Sequence, residues 1–166
     1  AYVSAVGAIE AATFDEAVCA ENPLGMPDAE AATRATEYLK EVMRNRDSLG
    51  GTVSCRVTGM FPGLGEPVFD KLDAELAKAV MSIGAVKGVE FGDGFEVSTK
   101  RGSEDNDAFR SGQGGIEKKT NHAGGMLGGI SDGSDILLRA AVKATPSIGS
   151  AQETVNKNGE PVTIEI

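Results

Sequence analysis

Asn121-His122-Ala123-Gly124-Gly125-Met126-Leu127-Gly128-Gly129-Ile130-Ser131-Asp132-Gly133 carries five glycines and little side-chain bulk. Two glycine pairs, separated by Met126 and Leu127, let the backbone turn where a Cβ would clash. They also leave the main chain bare enough for a flat ligand or a second chain to lie on it. A strand-like stretch, Ile136–Val142, follows, and then Lys143-Ala144-Thr145-Pro146-Ser147. A bare backbone followed by a cation and hydroxyls suits an anionic, partly planar ligand. Taken without its context, the same run is a glycine-rich turn between two strands.

Outward from this run, hydrophobic periodicity predicts two helices among several strands. Residues 2–9 read as a strand. Pro27-Asp28 suits a helix start. The helix that follows carries Ala31, Ala35, Leu39, Val42 and Met43 on one face, and should end near Arg46 before Gly50-Gly51. Residues 52–60 alternate as a strand, with Val53, Cys55 and Val57 inward and Cys55 a buried thiol. A second helix begins at Pro67 beside Glu66, where the helix dipole favours a carboxylate. Its apolar stripe is Phe69, Leu72, Leu76, Val80 and Ile83, and Gly84 ends it. Residues 85–89 and 91–97 read as short strands around Gly92-Asp93-Gly94. Residues 103–120 are polar and aperiodic, hence a mobile loop. Residues 160–166 alternate as a strand after the tight-turn signal Asn158-Gly159. Strands and helices do not alternate regularly, so an α+β fold with mainly antiparallel sheet is expected over a doubly wound one.

Composition narrows the function classes. The 166 residues carry 16 basic and 25 acidic side chains, a net charge of −9. That balance argues against nucleic acid, where clustered positive charge supplies most of the affinity. No run is apolar enough to span a membrane, and no leader of the secretory kind is visible. The length fits one domain, residues 1–166. Cys19 and Cys55 lack metal-ligand spacing, and the expected compartment is the reducing cytosol. Asp70 and Asp73 suit a solvated helix face better than an acid pair. Glu104-Asp105-Asn106-Asp107 lacks the alternating ligands of a calcium loop and reads as a solvated charge run, so no metal is expected. His122, the single histidine, is expected to hydrogen-bond within its loop, not to transfer protons.

The glycine-rich run, together with Asp47-Ser48-Leu49-Gly50-Gly51, Pro62-Gly63-Leu64-Gly65-Glu66-Pro67-Val68-Phe69-Asp70-Lys71-Leu72-Asp73-Ala74, Met81-Ser82-Ile83-Gly84-Ala85-Val86-Lys87-Gly88-Val89-Glu90-Phe91-Gly92 and Arg101-Gly102-Ser103-Glu104, resembles the chorismate synthase family, in the family's order and from about Ala1 to Ile166. The resemblance implies a helix layer packed between β-sheets. It implies a lyase of the shikimate pathway, in aromatic amino acid biosynthesis, that eliminates phosphate from 5-enolpyruvylshikimate 3-phosphate to give chorismate. It implies reduced FMN as cofactor, a cytoplasmic flavoprotein and a homotetramer. Residue by residue it implies flavin contacts at Gly84, Ala85 and Gly128, and a phosphate-and-ring segment at Lys143, Ala144, Thr145, Pro146 and Ser147. Ala144 stands where the family usually has proline, a departure expected to loosen the backbone before Thr145. The family's histidine- and arginine-bearing N-terminal part, and a C-terminal part with a further Arg and Asp, have no counterpart here. No catalytic residue is therefore assigned. The chain is expected to be the central portion of such an enzyme, inactive alone. A non-catalytic flavin- or phosphate-binding module, or an oligomerisation module, is the alternative.

Overall fold

The computed structural model describes residues 1–112 and 115–166. In chain order its elements are β1 (Tyr2–Val6), β2 (Ile9–Glu10), α1 (Glu16–Glu21), α2 (Ala29–Arg44), β3 (Gly51–Val57), α3 (Leu72–Met81), β4 (Val86–Phe91), a 3-10 helix at Gly94–Thr99, α4 (Gly102–Asp105), β5 (Phe109–Gly112), β6 (Gly115–Lys118), β7 (Met126–Leu127), β8 (Ile130–Ser131), β9 (Ile136–Val142), β10 (Gln152–Val155) and β11 (Pro161–Ile164). Helices mix with antiparallel strand pairs, so the class is α+β, as the irregular order of elements predicts. The chain divides into two compact units. One comprises residues 2–52 and 142–166, the other residue 1 and 53–141.

In the first unit, β1 and β2 form an antiparallel pair with Val6 opposite Ile9. One strand over 2–9 was expected. Gly7, at φ +56, breaks it into a hairpin. The core is small-residue packing. Met26, Ala31, Ala32 and Ala35 are buried, with Val3, Val6, Ile9, Ala11 and Leu24 against them. Alanines let α2 lie close over these side chains. Val42 is buried as expected, but Met43, assigned to the same face, is 64% exposed. Asp28 fixes the start of α2. Its Oδ1 accepts from the Ala31 N–H at 2.9 Å, and its Oδ2 accepts from the N–H groups of Ala12 and Thr13. One carboxylate thereby caps the helix and anchors the preceding chain. The short α1, unforeseen in the sequence, is capped likewise by Asp15. The expected terminal strand is β11, paired with β10 from Gln152 opposite Ile164 to Val155 opposite Pro161.

In the second unit, β3, β9 and β4 lie side by side in that order. Val86, Met126, Ile136, Leu138 and Ala140 are buried there. In β3 the expected alternation is only partly observed, since Arg56 is exposed as expected but Val53 is no more covered than Thr52. Ser54 is buried, Val57 is exposed and Cys55 is only partly covered. The second helix, α3, starts at Leu72, five residues later than expected. Glu66 and Asp70 exchange backbone hydrogen bonds at 2.9 and 3.0 Å, closing a tight turn that keeps Pro67 and Phe69 out of the helix. Phe69 is 88% exposed. The predicted strand over 91–97 is instead the 3-10 helix, because Gly92 and Gly94 both take positive φ and turn the chain. Residues 103–120 hold α4 and the β5–β6 hairpin, with Phe109 opposite Lys118. A loop was expected there, and Gln113 and Gly114 of it lie outside the described residues.

Candidate functional site

The glycine-rich run sits in the second unit and is shaped by two kinds of glycine. Gly124, Gly125 and Gly129 are buried, whereas Gly128 is exposed. All four have positive φ, between +60° and +85°. A Cβ at Gly124 would press on the Gly92 backbone and lie 3.0 Å from the Leu137 carbonyl. One at Gly125 would stand 2.5 Å from the Asp135 carbonyl. These are close backbone approaches that only glycine permits. Gly128 meets nothing within 4 Å. With Gly129 it makes the two-residue turn between β7 and β8, where both central residues need positive φ. The plain reading as a turn between strands therefore holds for the local geometry, and Gly128 leaves open space above it. The exposed Leu127 and Ile130 flank it.

Hydrogen bonds hold the run in place. Asn121 Nδ2 donates to the Asp135 carbonyl at 2.8 Å, and its Oδ1 accepts from the Gly125 N–H at 2.8 Å. His122 donates its backbone N–H to Asp107 Oδ1 at 2.8 Å, accepts from the Asp93 N–H at 2.9 Å, and contacts Asp93 Oδ2 through Nδ1. The expected loop hydrogen-bonding role of His122 is thus observed. Lys100 sits on the same Asp93 carboxylate. The Lys100 ammonium, and behind it His122, holds the Asp93 carboxyl below its usual range against the opposing effect of burial. Asp93, Asp105 and His122 bring ligand-type atoms within 4.8 Å of one another, and Lys100 supplies the positive charge at that spot.

Asp107 departs most from expectation. It was read as part of a solvated charge run, yet its side chain is 3% exposed. Burial raises its carboxyl pKa. Hydrogen bonds from the Ala123 N–H, the Thr120 hydroxyl, the His122 N–H and Lys118 outweigh that and bring it down to about 2. The sequence signal was a matching cation, Lys118, eleven residues on. Without the hairpin it could not be paired.

The remaining candidates lie at two further places. Gly84 and Ala85, both exposed, follow α3. Ala85, not Gly84, takes the left-handed conformation, φ +70, which costs an alanine about 1 kcal/mol. A Cβ on Gly84 would meet nothing within 4 Å. The Leu72 N–H at the other end of α3 donates to the Gly129 carbonyl at 2.8 Å. Ten residues at 1.5 Å rise make α3 about 15 Å long. Gly84–Ala85 and Gly128 thus flank opposite ends of one helix.

In the first unit, Lys143, Thr145, Pro146 and Ser147 are exposed and Ala144 is half-buried. The segment does not depend on a proline for its path. Ser48 Oγ donates to the Thr145 carbonyl at 2.6 Å, and Gly50 lets the chain pass so close that a Cβ there would stand 2.6 Å from the Val142 carbonyl. Ser150 Oγ also donates to the carbonyls of Asn45 and Arg46. Among the described residues Lys143 has no ion pair, and the hydroxyls of Thr145 and Ser147 have no protein partner. Open donors beside a fixed backbone fit a phosphate or a heteroatom-bearing ring.

A separate open cavity of about 970 Å³ in the second unit is lined by Arg56, Phe109, Lys118, Lys119, Thr120 and Asp135, among others. Two of its cations are already matched, Arg56 by Asp135 at 2.6 Å and Lys118 by two aspartates.

Comparison with known proteins gives one consistent result. The sequence profile of the family described as chorismate synthase matches residues 1–166. A chorismate synthase of Lachnoclostridium phytofermentans is 57% identical over 146 residues, covering 87% of this chain and 40% of the relative. One from Lachnospira eligens is 52% identical over 168 aligned positions, covering 100% of this chain and 46% of the relative. A crystal structure of a chorismate synthase superposes with a TM-score of 0.79 at 30% identity, over 86% of this chain and 48% of that one. The chain therefore spans less than half the length of these relatives.

Proposed function

This chain belongs to the chorismate synthase family, and from that premise we propose that it forms the flavin-holding part of an enzyme that eliminates phosphate from 5-enolpyruvylshikimate 3-phosphate to give chorismate. The observation that carries the reading is Gly128. It is exposed and open above its Cβ position, in a run whose other paired glycines are closed, Gly124 and Gly125 against backbone and Gly129 against the Lys71 side chain. Packing explains Gly124, Gly125 and Gly129, and turn geometry explains the positive φ of Gly128, while the space above Gly128 is open to a ligand. Reduced FMN, when bound, supplies transient electron donation with no net redox change. Gly128, Gly84 and Ala85 would offer bare backbone to its ring. Lys143, Thr145 and Ser147 would offer a cation and hydroxyls to its phosphate or heteroatoms.

Proton transfer is not assigned within this chain. Its one histidine has Nδ1 engaged by Asp93 and its backbone held by Asp107. An assay of the 166-residue chain with enolpyruvylshikimate phosphate and excess reduced FMN is expected to give no chorismate above background. Turnover would return His122 to the centre of the problem. A cytoplasmic location and a homotetramer rest on the family resemblance alone. Self-association is supported by the exposed Val155, Val162 and Ile164 of the β10–β11 hairpin. Light scattering over a dilution series at moderate salt should give a dimer or tetramer, and a constant monomer mass would remove that part.

The flavin reading is tested by FMN titration. Lys143→Ala should weaken binding about tenfold, the loss of one charge-assisted hydrogen bond. Affinity unchanged by Lys143→Ala and by bulk at Gly128 would place the flavin elsewhere.

A further inference from the structure

We infer that Asp107, Lys118 and Asp132 form a buried latch that sets the geometry of the glycine-rich loop for its ligand, with Asp107 as the positioning residue. This rests on the reading that Gly128 faces the flavin.

The loop's two ends are clasped through one ammonium. At the entry, Asp107 Oδ1 accepts from the His122 N–H at 2.8 Å and from Thr120 Oγ1 at 2.7 Å. Its Oδ2 accepts from the Ala123 N–H at 3.1 Å and from Lys118 Nζ at 3.2 Å. At the exit, the same Lys118 Nζ lies 2.6 Å from Asp132 Oδ2, and the Asp132 backbone N–H donates to the Gly125 carbonyl at 3.0 Å. The side chains of Lys118, Asp107 and Asp132 are 5%, 3% and 11% exposed.

Such a triad is a poor device for stability alone. Desolvating three charges offsets most of their attraction, and well-packed apolar replacements of similar volume commonly stabilise as well or better. It does provide fixed directions. The four bonds at Asp107 define where Thr120, His122 and Ala123 stand. Gly124, next in the chain, is pressed against the Gly92 backbone, so a displaced entry cannot be absorbed there. Displacement passes along the buried Gly124 and Gly125 to the exposed β7–β8 turn at Gly128.

The test compares the wild-type chain with Asp107→Asn and Lys118→Arg by amide hydrogen exchange and FMN titration. Asp107→Asn keeps the size and one acceptor but loses the charge. It should speed exchange at His122 and Ala123 at least about tenfold and raise the FMN Kd about tenfold, one lost charge-assisted bond. Exchange in α2, in the other unit, should not change. Lys118→Arg keeps the cation but adds bulk at a 5% exposed position, so it should change both measures in the same direction as Asp107→Asn and by less. If Asp107→Asn does not fold, Thr120→Val removes one of the four bonds and should give a smaller change in the same direction. Unchanged protection at His122 and Ala123 overturns the latch. So does faster exchange there with FMN affinity equal to wild type. If wild-type protein binds no FMN, the flavin reading falls separately, and the exchange data alone decide whether the latch stands.

Discussion

Asp107 and Asp28 are the residues on which each unit's local order turns, and both are carboxylates that work only when ionised. The folded pKa of Asp107 is about 2, against an ordinary value near 3.8. A group depressed in the folded state contributes stability above its unfolded pKa, and that stability is lost as pH falls through the folded value. Asp107 should therefore contribute about 2 kcal/mol at neutral pH, fading between about pH 4 and pH 2. Acid titration of Tm for wild type and Asp107→Asn checks this. The two curves should converge toward pH 2 and stay apart above pH 5. The Asp28 carboxyl is likewise held down to about 2, chiefly by the Ala31 N–H and then Ala12, so its contribution fades in the same window. Asp28→Ala should lower Tm by at least about 3 °C, through loss of the cap. At Ala85 the sign is opposite. Glycine adopts φ +70 without the Cβ penalty, so Ala85→Gly should leave stability unchanged or raise it by up to about 1 kcal/mol.

At the scale of elements, the β7–β8 turn and its surroundings separate packing glycines from open ones. Gly124→Ala puts a Cβ against the Gly92 backbone and the Leu137 carbonyl at positive φ. It should cost about 3 kcal/mol, read from denaturant midpoints. Gly128→Ala has the same backbone penalty without a clash and should cost about 1 kcal/mol. Equal costs would mean that the two glycines play one role. The elements legible from sequence are those whose periodicity a single sheet or core creates. In α2 the alanines repeat on the buried face, β9 is a clear strand, and β11 follows a turn signal. What failed is set by features that leave no pattern in residue type. The late start of α3 comes from the Glu66–Asp70 turn, whose hydrogen bonds are backbone-only and leave no mark on residue type. The β5–β6 hairpin is exposed along most of its length, so neither face needs apolar residues and no period-2 pattern arises. Ser54 is buried in β3 where the pattern predicted Cys55.

For the whole molecule, the candidate site is named through resemblance and not through periodicity. Gly128, Lys143, Thr145, Pro146 and Ser147 are exposed, as ligand contacts need to be, and Ala144 is half-buried. Nothing in the residue types distinguishes open Gly128 from closed Gly129, because the difference is made by Lys71, against which a Cβ on Gly129 would press. The Asp107 latch was read as solvent-facing for the same reason. A net charge of −9 repels an anionic ligand that Lys143 attracts locally. Salt screens both, so the affinity lost in Lys143→Ala should be larger below about 0.15 M ionic strength than above it.

We propose that the open glycine and the lysine segment are each flavin contacts, and amide chemical-shift mapping during FMN titration checks each of them separately. Perturbed amides are expected at Leu127, Gly128 and Ile130 and from Lys143 through Ser147 apart from Pro146, with Gly124 and Gly125 little changed. Replacing Gly128 by Asn, which tolerates positive φ while adding bulk, should abolish the response at residues 127–130 and weaken binding at least about tenfold. Shifts gathered instead around Arg56, Lys119 and Phe109, and unaffected by Gly128→Asn, would contradict it.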